Sequence, residues 1–151
     1  MEATLLSLHV VAGILFVGPV AVVVSLFPRY APNGTGAPSG RSDNGDNAVG
    51  WALHRITRTY GALAVVVPVI GILLALVQGR LGEIWISLAM ILTAVAGALL
   101  VLRIAPEQRD ALNFPGDRTR LRRIRMLAGV FNALWVLVVI MMIVRPGSTY
   151  S

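Results

Sequence analysis

Hydrophobic and polar positions are segregated along this chain in long blocks rather than interleaved turn by turn. Four stretches carry no charged side chain: Ala3–Pro28, Thr59–Gly79, Ile84–Leu102 and Met126–Val144. A helix needs about 20 residues to cross a bilayer core of roughly 30 Å. A helix of a soluble bundle would place polar residues on its outer face in every turn, and these stretches do not. The pattern predicts an all-α membrane protein, a four-transmembrane-helix antiparallel bundle with helices over residues 4–27, 51–78, 83–105 and 121–144. The length fits one membrane domain over residues 1–151.

The connections differ in character. Residues 30–50 are rich in Gly, Pro, Ser, Asn and Asp and read as a mobile loop. Asn33-Gly34-Thr35 within it fits a glycosylation pattern that a cytoplasmic bacterial loop would leave unmodified. Gly79-Arg80-Leu81-Gly82-Glu83 is short enough to predict a tight antiparallel hairpin of the second and third helices. Asn113-Phe114-Pro115-Gly116 reads as a turn, and Arg145-Pro146-Gly147 as a stop. Pro19 and Pro68 fall inside the first two helices and should kink them. Two small-residue stripes, Gly71/Ala75/Gly79 and Ala89/Thr93/Gly97, suit packing of the second helix on the third.

Composition sharpens this picture. Apolar types make up 56% and charged types 13%, about half the charged share usual in soluble proteins. Without cysteine, disulfides, thiolate metal sites and cysteine nucleophiles are excluded. Lysine is absent, so all 13 basic residues are arginine. All but Arg80 and Arg145 lie between the first and second or the third and fourth blocks. Cytoplasmic loops carry the excess of basic residues, so both arginine-rich connections are expected inside and both termini extracytoplasmic. The run Arg118–Arg125 adjoins a membrane helix, which reads as a topology determinant or an anionic-lipid site rather than a nucleic-acid site. The first block lacks a basic leader and is read as a retained anchor rather than a signal peptide.

Few residues offer chemistry. His9 lies inside the first block, about 10 Å from the midplane on the outer side. An intramembrane ionisable group is a functional candidate by default: a haem or metal ligand, a proton relay or, more plainly, a neutral imidazole bonded to a neighbouring helix. His54 and Arg58 share one face of the second helix at its inner end, a pair able to hold an anionic lipid head or a quinone oxygen, or simply a solvated turn. His54 lies roughly 20 Å from the midplane on the inner side, so the two histidines cannot share one haem within a single chain. Asn132 is expected to make an interhelical hydrogen bond. Trp51, Tyr60 and Trp85 fit interfacial belts, and Trp135 fits packing. Arg29, His54, Arg58, Tyr60, Arg103 and Asn132 gather toward the inner ends. No acidic residue lies in any block, and phosphate-loop, zinc-protease and serine-hydrolase motifs are absent.

Leu8-His9-Val10-Val11-Ala12-Gly13, followed by Leu26-Phe27-Pro28-Arg29, resembles the first helix of the CopD/HemJ-like superfamily of small bacterial membrane proteins. With His54-Arg55-Ile56-Thr57-Arg58 and Val144-Arg145-Pro146-Gly147-Ser148, most of the chain looks like an uncharacterised four-helix actinobacterial family within it. The resemblance implies haem b held through a first-helix histidine, which maps to His9. HemJ-type oxidation of protoporphyrinogen also uses a lysine, which this chain lacks. CopD-type members are linked to copper uptake, and here Met90, Met141 and Met142 lie in the blocks without forming a clustered motif. His54-Arg55-Ile56-Thr57 is also similar to the His-Arg-x-Thr segment of succinate dehydrogenase membrane anchors, with Arg58 in place of the glycine that follows there.

Size, small-residue stripes and the missing catalytic constellation lead to the expectation of a non-catalytic accessory or assembly component of a larger complex in a bacterial plasma membrane. Its expected partners are membrane lipids and other membrane subunits or further copies of itself. The alternative is a haem- or quinone-associated redox protein using His9.

Overall fold

In a computed structural model, which describes residues 1–31 and 43–147, every regular element is helical. Helix α1 spans Glu2–Tyr30. Helix α2 comprises Asp43–Leu63 and Val66–Val77, α3 spans Ile84–Asn113, and α4 spans Arg118–Val144. All four are long and apolar enough to cross a membrane, so the chain is a multi-pass membrane protein with a four-helix architecture.

The prolines act as the sequence implies, by distorting rather than ending helices. A π-helical turn at Gly13–Val17 immediately precedes the segment whose second residue is Pro19. A second, at Leu100–Ile104, stands in the same relation to Pro106. Proline lacks an N–H, and its ring crowds the carbonyl four residues earlier. A wider turn at that point relieves the crowding and lets the helix continue. In α2 the break falls at Ala64–Val65, one turn before Pro68, and the Ala64 carbonyl accepts from Val67 N at 3.1 Å instead.

Three helices extend beyond the apolar blocks. Residues 43–50, expected to be loop, form the first turns of α2; residues 32–42, including Asn33-Gly34-Thr35, lie outside the described residues. α3 runs to Asn113 rather than stopping at 105, and α4 starts at Arg118 rather than 121. Packing explains the first two extensions. A Cβ on Gly50 would lie 2.7 Å from Leu112 Cδ2 and 3.6 Å from the Tyr30 carbonyl, so the bare backbone of α2 meets the ends of α1 and α3. Phe27, Ala31, Ala111, Leu112, Leu121 and Ile124 form a buried cluster beside that contact. At α4, Asp117 caps the helix by accepting from Thr119 N and Arg120 N.

Antiparallel packing follows from three contacts: His9 of α1 against Val67 of α2, Ser25 of α1 against Asn132 of α4, and Trp85 of α3 against Arg145 of α4. The bundle therefore has an arginine-rich end and a second end holding residue 1, the α2–α3 hairpin and Arg145. α1 packs on α2 and α4, and α4 on α3. The central core joins α1, α3 and α4 through Val20, Val24, Ala96, Leu100, Ile104, Ala128 and Phe131.

The second and third helices do not make the continuous contact that their short hairpin predicts; α2 and α3 touch near their ends and diverge between. The hairpin itself is tight. Gly79 takes φ +66°, and Arg80 N reaches the Ala75 carbonyl at 3.0 Å, a helix end that a residue with a Cβ adopts only under strain. Of the small stripes, Ala75 packs with Trp85 and Ile86 of α3, but Gly71 faces His9 and Gly97 faces open space.

Candidate functional site

Three concave regions concern the candidate residues. The first, about 110 Å³, is at the end holding residue 1 and is lined by His9, Gly71, Trp85, Met90, Met142 and Arg145, among others. His9 is buried, with its Nδ1 3.1 Å from the Val67 carbonyl. A carbonyl only accepts, so Nδ1 carries a proton, and in the neutral ring the lone pair is then on Nε2. Gly71 makes the approach feasible: a Cβ there would sit 2.9 Å from His9 Cε1. The bond to a neighbouring helix matches one part of the sequence readings. Trp85, read from the sequence as part of an interfacial belt, is buried against its neighbours; its Nε1 donates to Glu83, and the Arg145 guanidinium stands 5.7 Å from its ring centroid.

Haem can be tested against this geometry. The tautomer suits one axial bond through Nε2. The space beside His9 offers no second histidine, its other polar lining being Gln78, Thr93 and Arg145. His54 cannot supply a second bond, because it lies among residues of the opposite end. The residues of one chain thus do not form a bis-histidine haem site. Among the described residues no group of three His, Cys, Asp or Glu is placed to hold a metal ion.

The second region lies in the middle of the bundle where α2 and α3 diverge. It measures about 360 Å³ and is almost wholly apolar, walled by small residues Gly61 and Ala64 of α2 and Ala94, Gly97 and Ala98 of α3, and backed by Phe131 and Trp135 of α4. Trp135 stacks edge-on to Phe131, and its Nε1 is buried without a partner.

The third region is a groove at the arginine-rich end, about 640 Å³, lined by His54, Thr57, Arg58, Arg109, Asp110 and Asn113 with the apolar Gly61 and Leu100. An adjoining depression shares His54, Arg58, Arg109 and Asn113 and adds Arg55. His54 is buried, edge-on to Trp51, and its Nδ1 lies 3.4 Å from Gln108 Oε1. Gln108 is fully buried, and its Nε2 has no partner. Thr57 is buried and returns its hydroxyl to the Leu53 carbonyl.

The structure thus brings the sequence candidates His54 and Arg58 together with Arg109 and Asn113, which sequence reasoning did not place there. It keeps His9 apart from them. Of the other inner-end residues, Tyr60 packs on the core, and Asn132 donates to Ser25 Oγ at 2.8 Å, the interhelical bond expected of it. The basic run of α4 is partly neutralised: Arg120 and Arg123 meet Glu107 at 3.5 and 3.1 Å. By contrast, no ion pair joins Arg55, Arg58 or Arg109 to a carboxylate among the described residues. Comparisons with protein-family models, with curated proteins and with solved structures give no match, so the resemblance to the CopD/HemJ-like superfamily stands on the residues quoted for it alone.

Proposed function

We propose that this is a non-catalytic component of a bacterial plasma membrane that acts by holding other membrane molecules, as an accessory or assembly subunit of a larger complex. The observation that carries this reading is the open seam between α2 and α3, an apolar cavity of about 360 Å³ walled by small residues. Interiors of self-sufficient proteins are packed to crystal-like density. In a bilayer, small residues are the ones that admit close approach of another chain. A seam of this kind in a bundle otherwise joined by well-buried clusters is a surface made for an occupant. The buried His9 and Thr57 and the half-buried Asn132 are engaged in structural hydrogen bonds, which favours binding over turnover as the work of the chain. Both arginine-rich connections face the cytoplasm in this reading, with the termini outside.

Purification from native membranes in a mild detergent is expected to recover the chain in a complex with at least one other protein. Recovery only as a free monomer would overturn the proposal.

The second reading, a haem protein using His9, is favoured by one observation, the fixed tautomer that leaves Nε2 available. Because one chain brings a single histidine to that end, a second histidine ligand would have to come from another chain. The visible spectrum of the complex decides it: a Soret band abolished by His9→Ala supports haem, and its absence after expression with added haem removes the reading.

A further inference from the structure

The mid-bundle cavity and the groove at the arginine-rich end adjoin each other. Both are lined by Gly61 of α2 and Leu100 of α3. At this shared wall Leu100 Cδ2 packs on the bare backbone of Gly61, where a Cβ would come within 2.8 Å of it, so the end of one flexible side chain, rather than backbone, stands between the two spaces. Leu100 also opens the π-helical turn of α3, which places the irregular part of that helix beside the junction. A polar mouth at the end of the bundle therefore adjoins an apolar interior across the Leu100 side chain.

The two spaces differ in chemistry as the two parts of an amphiphile do. The mouth carries Arg58 and Arg109, with Arg55 beside them and Asn113 as a neutral donor. Asp110 is the one carboxylate lining it among the described residues, and it is not within ion-pair distance of any of these arginines. The mouth is thus net positive, with guanidinium groups whose N–H forks suit a phosphate. A neutral quinone ring would not repay that concentration of charge. The interior offers apolar lining and length instead.

We propose that the space between α2 and α3 holds one anionic phospholipid, with its phosphate on Arg58 and Arg109 and one acyl chain past Gly61 into the cavity bordered by Gly97. This rests on the reading of the seam as a binding surface and names its occupant. The lipid would complete the bundle where the two helices separate, and it would fix the angle between α2 and α3 against which a partner subunit docks.

The test is native mass spectrometry of the full chain in detergent, titrated with phosphatidylglycerol or phosphatidylcholine of equal chain length. The wild type is expected to retain one phosphatidylglycerol in preference to phosphatidylcholine. Arg58→Ala/Arg109→Ala should weaken that binding about tenfold or more. The control Arg122→Ala/Arg125→Ala, exposed on α4 away from the mouth, should not. A Cβ on Gly97 meets nothing within 4 Å, so Gly97→Leu should fill the cavity without backbone clash and displace the lipid while the protein keeps its melting temperature. Ala94→Leu, on the same wall, serves if Gly97→Leu does not fold. Free glycerol phosphate, the same head without a tail, should not bind measurably.

The proposal is overturned if the control pair loses as much lipid as the mouth pair, which would mean a plain basic rim. Unaltered binding after the cavity is filled, or a preference for an added ubiquinone over phosphatidylglycerol, would also overturn it. The same spectra weigh any protein partner, so loss of the lipid proposal with the partner retained is told apart from failure of the subunit reading itself.

Discussion

Gly71→Val is expected to cost on the order of 2–6 kcal/mol of stability, and His9→Ala is expected to restore part of it. The imidazole is pressed against the bare α carbon of Gly71, where a Cβ would stand 2.9 Å from Cε1 and 3.3 Å from Nδ1. His9 cannot yield cheaply, because it is buried and its Nδ1–H is held by the Val67 carbonyl at 3.1 Å, one turn from Gly71. A larger residue in place of Gly71 must expel the ring, which removes that hydrogen bond, or push α1 from α2. Overpacking alone costs ~1–3 kcal/mol, and a buried donor left without its acceptor adds about 1–3 kcal/mol. Taking the ring away by His9→Ala leaves a space that the introduced valine side chain can enter. The double variant should therefore be more stable than Gly71→Val alone, an interaction of the sign found for residues in contact. Unfolding midpoints of the four proteins in one detergent measure the cycle. Strict additivity would show that His9 and Gly71 do not touch in the folded protein.

That pair also marks a limit of what the sequence discloses. His9 stood out as an ionisable group inside an apolar block, which is visible in a single line of residues. Its partner is a main-chain carbonyl, which no residue type announces. Gly71 was legible only as one member of a small-residue stripe, and the stripe points to helix packing without saying against which helix. The expected partner was the third helix, joined by a short hairpin; the actual one is α1. Proximity along the chain fixes where two helices begin to neighbour each other. Prolines and side-chain volumes then determine whether they stay in contact, and the break before Pro68 lets α2 lean on α1 instead.

The groove was half legible for a related cause. His54 and Arg58 were readable as an i, i+4 pair. Arg109 and Asn113 were not placed with them, because Pro106 and the polar run Glu107–Asp110 look like the end of a helix. A signal to the contrary was present. Leu100, Ile104, Ala111 and Leu112 recur at helical spacing, and all are buried on one side of α3, a stripe that continues through the polar run. Residues 43–50 gave no such signal. Their helix depends on the contact of Gly50 with the Leu112 side chain, and tertiary packing of that kind overrides local propensity. The four membrane helices themselves were legible because in a bilayer every turn must be apolar, so the pattern needs no knowledge of neighbours.

A reporter fused after Ser151 is expected to be active only when it functions outside the cytoplasm, and neutralising the start of α4 is expected to divide the population between two orientations. Electrostatics sets both outcomes. Apart from Arg80 and Arg145 every basic residue lies between the first and second or the third and fourth apolar blocks, toward the same end of the bundle, and transfer of such segments across the membrane is disfavoured. The structure ranks the contributions. Arg120 and Arg123 lie beside Glu107, which moderates their field in the folded protein, although insertion is decided while the chain is still assembling and acidic residues then count for little. The five arginines Arg118, Arg120, Arg122, Arg123 and Arg125 also sit within the roughly 15–20 residues next to a span over which the bias operates. Replacing all five by glutamine removes the largest block of charge but leaves those of the first connection, so a mixture rather than full inversion is expected. Paired fusions of an alkaline phosphatase, active outside, and a fluorescent protein, active inside, give the ratio directly. Fluorescence without phosphatase activity in the unaltered chain would place the arginine-rich end outside. The groove lined by Arg58 and Arg109 would then open to the outer leaflet, and any lipid held there would be drawn from that leaflet.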